Sequence, residues 1–276
     1  MKIALIGGSG LSVFPWAARL ATLAVQTEYG RVELQKGELS GKEFYFLPRH
    51  GAGHKIPPHL INYRANMKAL ADLGVVWVIG TAAVGSLRRV IRPGTIVLLD
   101  QFVAFGQTCS QTYFTKEKAR VSHIDYTDPY CATLRSLISE AARKECIPLR
   151  RKGCYICTDG PRYETAAEVR MFARWGGDVV GMTNGPEAIL GRELGLCYAA
   201  LAVVTNWGAG LSGRLLSHAE VEAMMAARLA QVGKIIGGIL AQPDLTKKCR
   251  ICPGYGTGDK THLRGFGKSP YLGRTN

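Results

Sequence analysis

The sequence lacks a long uninterrupted apolar run. Its N-terminal segment, MKIALIGGSG, is broken by glycines, and the apolar segment 197–204 is only as long as a strand. A helix that spans a membrane needs about 20 consecutive apolar residues, and the glycine-broken N-terminus does not fit a signal peptide. We therefore expect a cytoplasmic protein with no membrane anchor.

Acidic residues are also few: 21 Asp and Glu stand against 35 Lys and Arg, a formal net charge of +14. Such an excess attracts anions, among them phosphate, nucleotides and nucleic acid. Residues 247–276 carry seven basic residues and one acidic residue, so this tail contributes +6 and the rest of the chain +8. The body has single basic residues at predicted strand ends rather than a basic face with interleaved aromatic residues, which disfavours a nucleic-acid-binding protein.

A complete dinucleotide-binding signature is missing as well. The segment IGGSGLS (6–12) resembles the opening of a G-x-G-x-x-G loop, but Val13 stands where the third glycine is needed. No acidic residue ends a second strand about 20 residues later, as NAD binding requires. An NAD-dependent oxidoreductase is therefore disfavoured, and the loop better suits a smaller anion held by backbone N–H groups and the Ser9 hydroxyl.

What the sequence does contain is a regular alternation of strand-like and helical segments. Apolar runs of strand length fall at 2–7, 43–50, 75–80, 95–105, 178–182 and 197–206. Helical patterns fall at 58–73, 129–145, 164–175 and 186–195, and a last helix follows Ser217. The alternation predicts an α/β fold with a mostly parallel, twisted central sheet flanked by helices, and continuous apolar strands fit a sheet covered on both faces.

The chain shows no internal repeat and no convincing linker, which favours one domain over residues 1–242. Residues 243–276 are basic and rich in glycine, with too few apolar residues to pack. We therefore predict a flexible tail after the domain.

Eight cysteines are present, and the pairs Cys154–Cys157 and Cys249–Cys252 have the spacing of zinc ligands. These pairs are far apart in the chain, and in a strand the side chains of Cys154 and Cys157 would point to opposite faces. The other four cysteines are scattered among apolar neighbours. We interpret the cysteines as small buried apolar residues and predict no metal site; a disulfide that involves the tail pair is the alternative.

Four predicted strand ends carry small, hydroxyl or basic residues: IGGSG, LPRHG with Arg49 and His50, GTAAVGSL, and MTNGPE with Thr183. Arginine offers a planar fork of donors that matches phosphate, and a neighbouring histidine can add another donor. Because the carboxyl ends of parallel strands meet at one edge of a sheet, we expect a phosphate site there. A solvated basic loop is the alternative for the segment of Arg49 and His50 taken alone.

Two further residues form a pair suited to a purine base. VVTN ends a buried strand on Asn206, and TDGPRYETAAE carries Tyr163 and Glu164 near a helix start. A turn would explain Asn206 alone, and the helix dipole would explain Glu164 alone. Together, a carboxylate that accepts an N–H group and a carboxamide that donates and accepts are complementary to a 6-oxopurine, which shows N1–H, O6 and N7 along one edge.

These motifs resemble, in their order, the trimeric purine nucleoside phosphorylase and methylthioadenosine phosphorylase family over roughly residues 1–241. The matching segments are IGGSGL, RHG, INYRAN, GTAAVGSL, DQF, GPRYET, GMTNGPE and VVTN. The resemblance implies a single-domain nucleoside phosphorylase fold, a homotrimer or dimer of trimers with active sites at subunit interfaces, and phosphorolysis of an N-glycosidic bond. It implies inorganic phosphate as co-substrate and neither a metal nor an organic cofactor.

The resemblance also implies a role for each matching residue. Phosphate would be bound by Ser9, Arg49, His50, Thr183 and the backbone N–H of Ala83. The nucleoside would lie against Tyr163, Glu164, Met182, Asn206 and His218, and His123 would be given to the site of a neighbouring subunit. Ala82 departs from the threonine of the methylthioadenosine branch, so one hydroxyl contact is absent there.

The substrate is inferred from Glu164, Asn206 and His218. The frame looks like the methylthioadenosine branch, which usually has Ser and Asp at the first two positions and an apolar residue at the third. Here Glu164 and Asn206 match enzymes that take inosine and guanosine, and His218 matches their contact with the ribose 5′-hydroxyl. With His50, the first two are the predicted catalytic residues. We expect reversible phosphorolysis of 6-oxopurine nucleosides in purine salvage; a methylthioinosine or methylthioadenosine phosphorylase is the alternative.

Overall fold

The computed structural model describes residues 2–11, 18–39, 41–106, 109, 111–114, 123–213, 215–242, 249 and 252. Within these residues the chain forms one ten-stranded sheet with helices on both faces. The strands are β1 (Lys2–Gly7), β2 (Ala18–Thr27), β3 (Gly30–Leu39), β4 (Lys42–Pro48), β5 (Val75–Ser86), β6 (Ile96–Leu98), β7 (Gln101–Ala104), β8 (Cys154–Cys157), β9 (Val179–Gly181) and β10 (Cys197–Trp207). The helices are α1 (Tyr63–Asp72), α2 (Ala132–Lys144), α3 (Ala166–Arg174), α4 (Asn184–Glu193) and α5 (His218–Leu240).

The predicted α/β alternation is confirmed. All five helices overlap the segments with helical patterns, and five of the nine strand pairings among the described residues are parallel. The patterns miss β2 and β3, an antiparallel pair at the edge of the sheet beside β4. In β3 every exposed position is polar or charged, and in β2 Thr22 interrupts the apolar residues, so neither strand contains a long continuous apolar run. The segment 95–105, predicted as one strand, forms β6 and β7, which pair with different neighbours.

The side chains of β1 show how both faces of the sheet are covered. Ile3 and Leu5 belong to the core that α2 and α5 cover, whereas Ala4 and Ile6 belong to the core that α1 and α4 cover. Successive residues of a strand point to opposite faces. A strand buried on both faces is therefore continuously apolar, which is why this pattern could be found in the sequence.

Strand β5 changes partners along its length, and this opens the sheet. Its first half pairs in parallel with β1 as far as Gly80, and its last residues, Gly85 and Ser86, pair antiparallel with β9. On the other edge, β10 runs beside β5 from Trp77 to Ser86. In the part of the chain that the structure describes, no strand pairs with the first edge between Gly80 and Gly85. This stretch borders a gap between β1 and β9.

A buried ion pair joins the end of β4 to the first turn of α4. Arg49 donates through Nε and Nη2 to the carboxylate of Glu187, and the two side chains are only 1% and 3% exposed. Tyr198 donates to Glu187 Oε2 at 2.6 Å and accepts from Asn184 Nδ2 at 2.8 Å. A charge buried without its partner is costly, so each ion here depends on the other.

Helix α5 is long and apolar enough to cross a membrane, judged by length and composition. Its residues Val232, Ile235, Ile236 and Ile239 are buried in the core that it shares with α2. Helices of this kind are also found in the cores of proteins that have no membrane span. We therefore assign α5 to the core of the domain.

Of the tail, the structure describes Cys249 and Cys252. Both are buried in the core beside α2 and α5, whereas the composition predicts a tail that does not pack. The interpretation of the cysteines as buried residues is confirmed at these two positions and at Cys131, Cys157 and Cys197. Cys109 and Cys154 are only partly buried, and Cys146 is exposed.

We predict that Glu187→Gln lowers the free energy of unfolding by about 3–5 kcal/mol, because it leaves the buried Arg49 charge without its partner. The measurement is guanidinium unfolding at one fixed protein concentration, with the midpoint and the slope both fitted.

The control is Asp72→Asn, which removes the carboxylate of an i,i+4 pair with Lys68 on the surface of α1. We expect a loss of only about 0.5 kcal/mol there. Equal losses in the two variants would contradict the assigned importance of the buried pair.

Candidate active site

One cleft opens at the gap between β1 and β9. It holds about 900 Å³ of empty space, including its solvent mouth, within the range of small-molecule sites. Ten of the eleven site residues predicted from the sequence line it: Ser9, Arg49, His50, Ala83, Tyr163, Glu164, Met182, Thr183, Asn206 and His218. His123 is exposed and does not line this cleft, so its contribution to a neighbouring subunit's site stays a prediction.

The cleft differs in one respect from the predicted edge of a parallel sheet. Strands β1 and β4 run in parallel toward it. Strand β9 is antiparallel to β5, so Met182 and Thr183 enter the cleft from the opposite direction. The apolar pattern of a strand does not contain its direction, so the sequence predicts which residues of this segment line the cleft but not the direction from which they enter it.

The turn after β1 fits closely against Arg49. A Cβ atom on Gly8 would lie 2.5 Å from Arg49 Nη1 and 3.0 Å from the Thr81 carbonyl oxygen, so only glycine fits. The Gly8 N–H group donates to Thr81 Oγ1 at 3.3 Å, and that hydroxyl donates to the Ile6 carbonyl at 3.0 Å. These bonds hold the turn that presents Ser9 to the cleft.

Arg49 uses most of its hydrogen-bond donors within the protein, which the sequence does not predict. Besides its bonds with Glu187, it donates through Nη1 to the Thr81 carbonyl at 2.9 Å. Three of its five N–H donors are thus used, and two remain for a ligand. Burial lowers the pKa of Arg49, but the charge and hydrogen bonds of Glu187 outweigh burial and leave the pKa raised. Arg49 therefore supplies a permanent positive charge beside the cleft.

His50 is neutral near pH 7. Its Nδ1 atom lies 2.7 Å from the Ile56 carbonyl, and because a carbonyl only accepts, Nδ1 carries the proton. Burial, and then the charge of Arg49, lowers the pKa of His50 to about 4. The remaining nitrogen, Nε2, is therefore an acceptor. This changes the predicted role, in which His50 donates a hydrogen bond to phosphate.

Thr183 stands at the N-terminus of α4 with its hydroxyl unused for capping. It is the N-cap residue, yet its side chain makes no cap hydrogen bond. Its backbone N–H donates to the Tyr155 hydroxyl at 3.1 Å, which fixes its position. A free hydroxyl at a helix N-terminus is suited to an anion. Ala83 lies across the gap, on the stretch of β5 that pairs with no other described strand on this side.

A β-bulge positions Asn206 at the cleft. The register between β10 and β5 shifts between Val204 and Asn206, and bulges re-aim side chains beside active sites. The Thr205 hydroxyl lies 2.8 Å from Asn206 Oδ1, and Asn206 Nδ2 donates to the Trp207 carbonyl at 2.9 Å. The amide is thus oriented, and one of its two N–H hydrogens remains for a ligand.

Glu164 lines the same cleft as Asn206. Its Oε1 atom accepts a hydrogen bond of 2.8 Å from the Thr158 hydroxyl. Burial is the largest influence on its pKa and raises it above the ordinary value of 4.5. The carboxyl group is therefore fixed in position and has a second oxygen for a ligand.

Three histidines stand in a row at the cleft. The His54 ring stacks on His50 with ring centres 4.2 Å apart, and its centre lies 6.2 Å from that of His218. His54 Nε2 lies 3.0 Å from Ser9 Oγ, and Tyr163 Oη lies 3.5 Å from His218 Nδ1. This end of the cleft is polar, which suits a hydroxyl-bearing group better than an apolar one.

Sequence reasoning missed four residues that hold the site together: Thr81, Glu187, Thr205 and His54. A usable signal existed for Glu187, because an acidic residue in a helix whose neighbours are apolar needs a buried cation. For Thr205, the hydroxyl next to Asn206 was a weaker signal. Nothing in the sequence pairs Thr81 with Gly8 or stacks His54 on His50.

Known proteins resemble this chain over most of its length. The model of a family described as the phosphorylase superfamily matches residues 2–241. A 6-oxopurine nucleoside phosphorylase of Pyrococcus furiosus is 46% identical over 256 residues, which cover 91% of this chain and 95% of that protein. A probable S-methyl-5′-thioinosine phosphorylase of Thermodesulfovibrio yellowstonii is 42% identical over 253 residues, with 90% and 94% covered.

A solved structure also matches. Methylthioadenosine phosphorylase from Schistosoma mansoni, in complex with adenine, superimposes with a TM-score of 0.83 at 31% identity, covering 87% of this chain and 91% of that one. The chain therefore belongs to the phosphorylase superfamily.

Proposed function

We propose that this protein is a purine nucleoside phosphorylase that converts 6-oxopurine nucleosides and phosphate into the free base and ribose 1-phosphate. The observation that carries the proposal is that Glu164 and Asn206 line the same cleft as Ser9, Arg49 and Thr183. A pair that reads a purine edge thus stands beside donors suited to phosphate. The relatives named as 6-oxopurine nucleoside phosphorylases support the same substrate class.

The proposed reaction is phosphorolysis of the glycosidic bond, in which negative charge develops on the purine. The C1′–N9 bond breaks, its electron pair stays on the purine, and a phosphate oxygen forms the new bond to C1′. The proton that hydrogen phosphate gives up ends on the purine. Asn206 donates its remaining N–H hydrogen to N7 or O6 as the base becomes negative, and the Glu164 carboxylate accepts from N1–H. Donors held where charge develops are commonly worth about 3 kcal/mol each.

Phosphate is held in this scheme by the Ser9 and Thr183 hydroxyls, the Ala83 backbone N–H and the free donors of Arg49. Neutral His50 accepts the O–H group of hydrogen phosphate through Nε2. This use of His50 fits its bond to the Ile56 carbonyl and its pKa of about 4. It orients phosphate with its unprotonated oxygens toward the hydroxyl and N–H donors.

The second candidate is methylthioinosine phosphorylase, which would use the same pair for the base. The relative from Thermodesulfovibrio yellowstonii favours it. The polar contact between Tyr163 and His218 favours a ribose 5′-hydroxyl over a methylthio group. Inosine and guanosine are therefore our proposed substrates, in cytoplasmic purine salvage, with no nucleic-acid or membrane partner and no organic cofactor.

We further propose a homotrimer or a dimer of trimers in which His123 reaches the cleft of a neighbouring subunit. Light scattering on the purified protein should give about 90 kDa or twice that, since one chain has a mass of 29.9 kDa. His123→Ala should raise KM for the nucleoside and leave the mass unchanged. A monomer with full activity would contradict this part of the proposal.

The substrate class is tested by phosphate-dependent release of base from inosine, guanosine, adenosine, methylthioadenosine and methylthioinosine. We expect inosine and guanosine to give the highest kcat/KM. Asn206→Asp should lower kcat/KM for inosine about 100-fold or more, because one donor to the leaving base is lost. It should also move the preference toward 6-aminopurine nucleosides.

The control is Asn66→Asp, the same change on helix α1 at a residue that does not line the cleft. It should leave the ratio of inosine to adenosine unchanged. If Asn206→Asp also leaves that ratio unchanged, Asn206 does not read the base.

We predict an acidic limit to activity set by Glu164. Its pKa is raised by burial, and only the ionised carboxylate accepts N1–H, so kcat/KM for inosine should fall as the pH drops through that raised pKa. The pKa of His50 is about 4, so Glu164 titrates first. Glu164→Gln should lower kcat/KM at pH 7 and remove this part of the pH profile.

Glu140→Gln, on the surface of α2, is the matched control and should keep the wild-type profile. A Glu164→Gln enzyme with the wild-type acidic limb would show that another group sets it.

A further inference from the structure

Four cysteines meet at one place in the core, remote from the cleft. The Sγ atoms of Cys131, Cys197, Cys249 and Cys252 all lie within 4.8 Å of one another. Every one of the four residues is buried, with at most 7% of its surface exposed. All eight cysteines of the chain are free thiols. The mechanism proposed for the cleft uses none of these four.

The fold brings the cysteines together from three separate parts of the chain. Cys197 is the first residue of β10, and Cys131 is the N-cap residue of α2, whose backbone N–H donates to the Tyr198 carbonyl at 2.8 Å. Cys249 and Cys252 come from the tail and are buried in the same core cluster. The tail pair with zinc-ligand spacing therefore finds its partners in two scattered cysteines and not in Cys154 and Cys157.

Backbone N–H groups are directed at two of the sulfur atoms. The Leu134 N–H lies 3.4 Å from Cys131 Sγ, and the Cys252 N–H lies 3.5 Å from Cys249 Sγ. In each case the donor is three residues after the sulfur, and the donors favour a negatively charged sulfur. Cys131 also stands at the N-terminus of α2, where the helix dipole favours negative charge.

We propose that these four cysteines bind one structural Zn²⁺ ion. Four thiolates are one of the usual ligand sets of structural zinc, which they hold in a tetrahedron with Zn–S distances of about 2.3 Å and sulfur atoms about 3.8 Å apart. The four Sγ atoms satisfy this spacing with small movements, since none is more than 4.8 Å from another. On binding, four thiols release four protons to solvent and form four Zn–S bonds, with no change of oxidation state.

The site would fasten the tail to the domain without taking part in catalysis. A strand rises about 3.3 Å per residue, so Cys197 at the start of β10 lies roughly 30 Å from Asn206 near its end. The tail has few apolar residues to hold it by packing. Four metal–sulfur bonds supply the missing attachment, which accounts for the burial of two tail residues in the core.

The test is the metal content of the full chain, measured by elemental mass spectrometry. The protein is purified under reducing conditions without a chelator. We expect about one zinc per chain, falling to below about a tenth in Cys197→Ser. Cys146→Ser, at an exposed cysteine outside the cluster, should keep its zinc. The same preparations are compared by circular dichroism.

A second measurement on the unaltered protein keeps the test independent of how the variant folds. Mercurial titration of the thiols should release zinc in proportion to the cysteines modified. Cobalt should take its place and give the intense visible bands of a tetrahedral thiolate site. Absence of zinc from the wild-type chain, equal zinc in Cys197→Ser and wild type, iron in place of zinc, or a mass that shows disulfides among the four cysteines would each overturn the proposal.

Discussion

The buried ion pair between Arg49 and Glu187 is the constraint on which the cleft depends. It connects the residue after β4 to the first turn of α4, and α4 begins directly after Thr183. The ion pair thus fixes the end of β4 and the start of α4, which carry proposed phosphate-binding residues, relative to each other. Neither charge could be buried without the other. Gly8 packs against the same guanidinium group, and the turn that contains it brings Ser9 to the cleft. The same arginine serves stability and anion binding, which explains why only some of its N–H donors are left for a ligand.

The proposed base-reading pair, Glu164 and Asn206, is positioned in other ways, and Asn206 depends on the bulge in β10. A regular strand would continue the register with β5, and Asn206 would then face the opposite side of the sheet. The bulge and the Thr205 hydroxyl set both the direction of Asn206 and the orientation of its amide. Glu164 is fixed separately by Thr158. The base-reading groups are therefore positioned by neighbouring polar residues, and a purine with the wrong edge would leave them unpaired at a cost in binding.

The sequence predicted the helices, the doubly covered strands and ten cleft residues because each leaves a local pattern. Strands β2 and β3 were missed because polar residues interrupt their apolar positions, so neither carries a long continuous apolar run. The direction of β9, the stacking of His54 on His50 and the meeting of Cys131 and Cys197 with the tail pair arise only from long-range packing. His50 lines the cleft as predicted, but its hydrogen-bonding role differs from the prediction, because its bond to the Ile56 carbonyl cannot be read from the order of residues.

A crystal structure of the complex with hypoxanthine and phosphate would test directly whether Glu164 and Asn206 bind the base beside an anion site. We expect Asn206 Nδ2 about 2.7–3.2 Å from N7 or O6 of the base, and a Glu164 carboxylate oxygen at the same distance from N1. We also expect phosphate in contact with Ser9 and Thr183. Hypoxanthine bound in the cleft with both side chains beyond hydrogen-bonding distance, or bound elsewhere, would contradict this assignment.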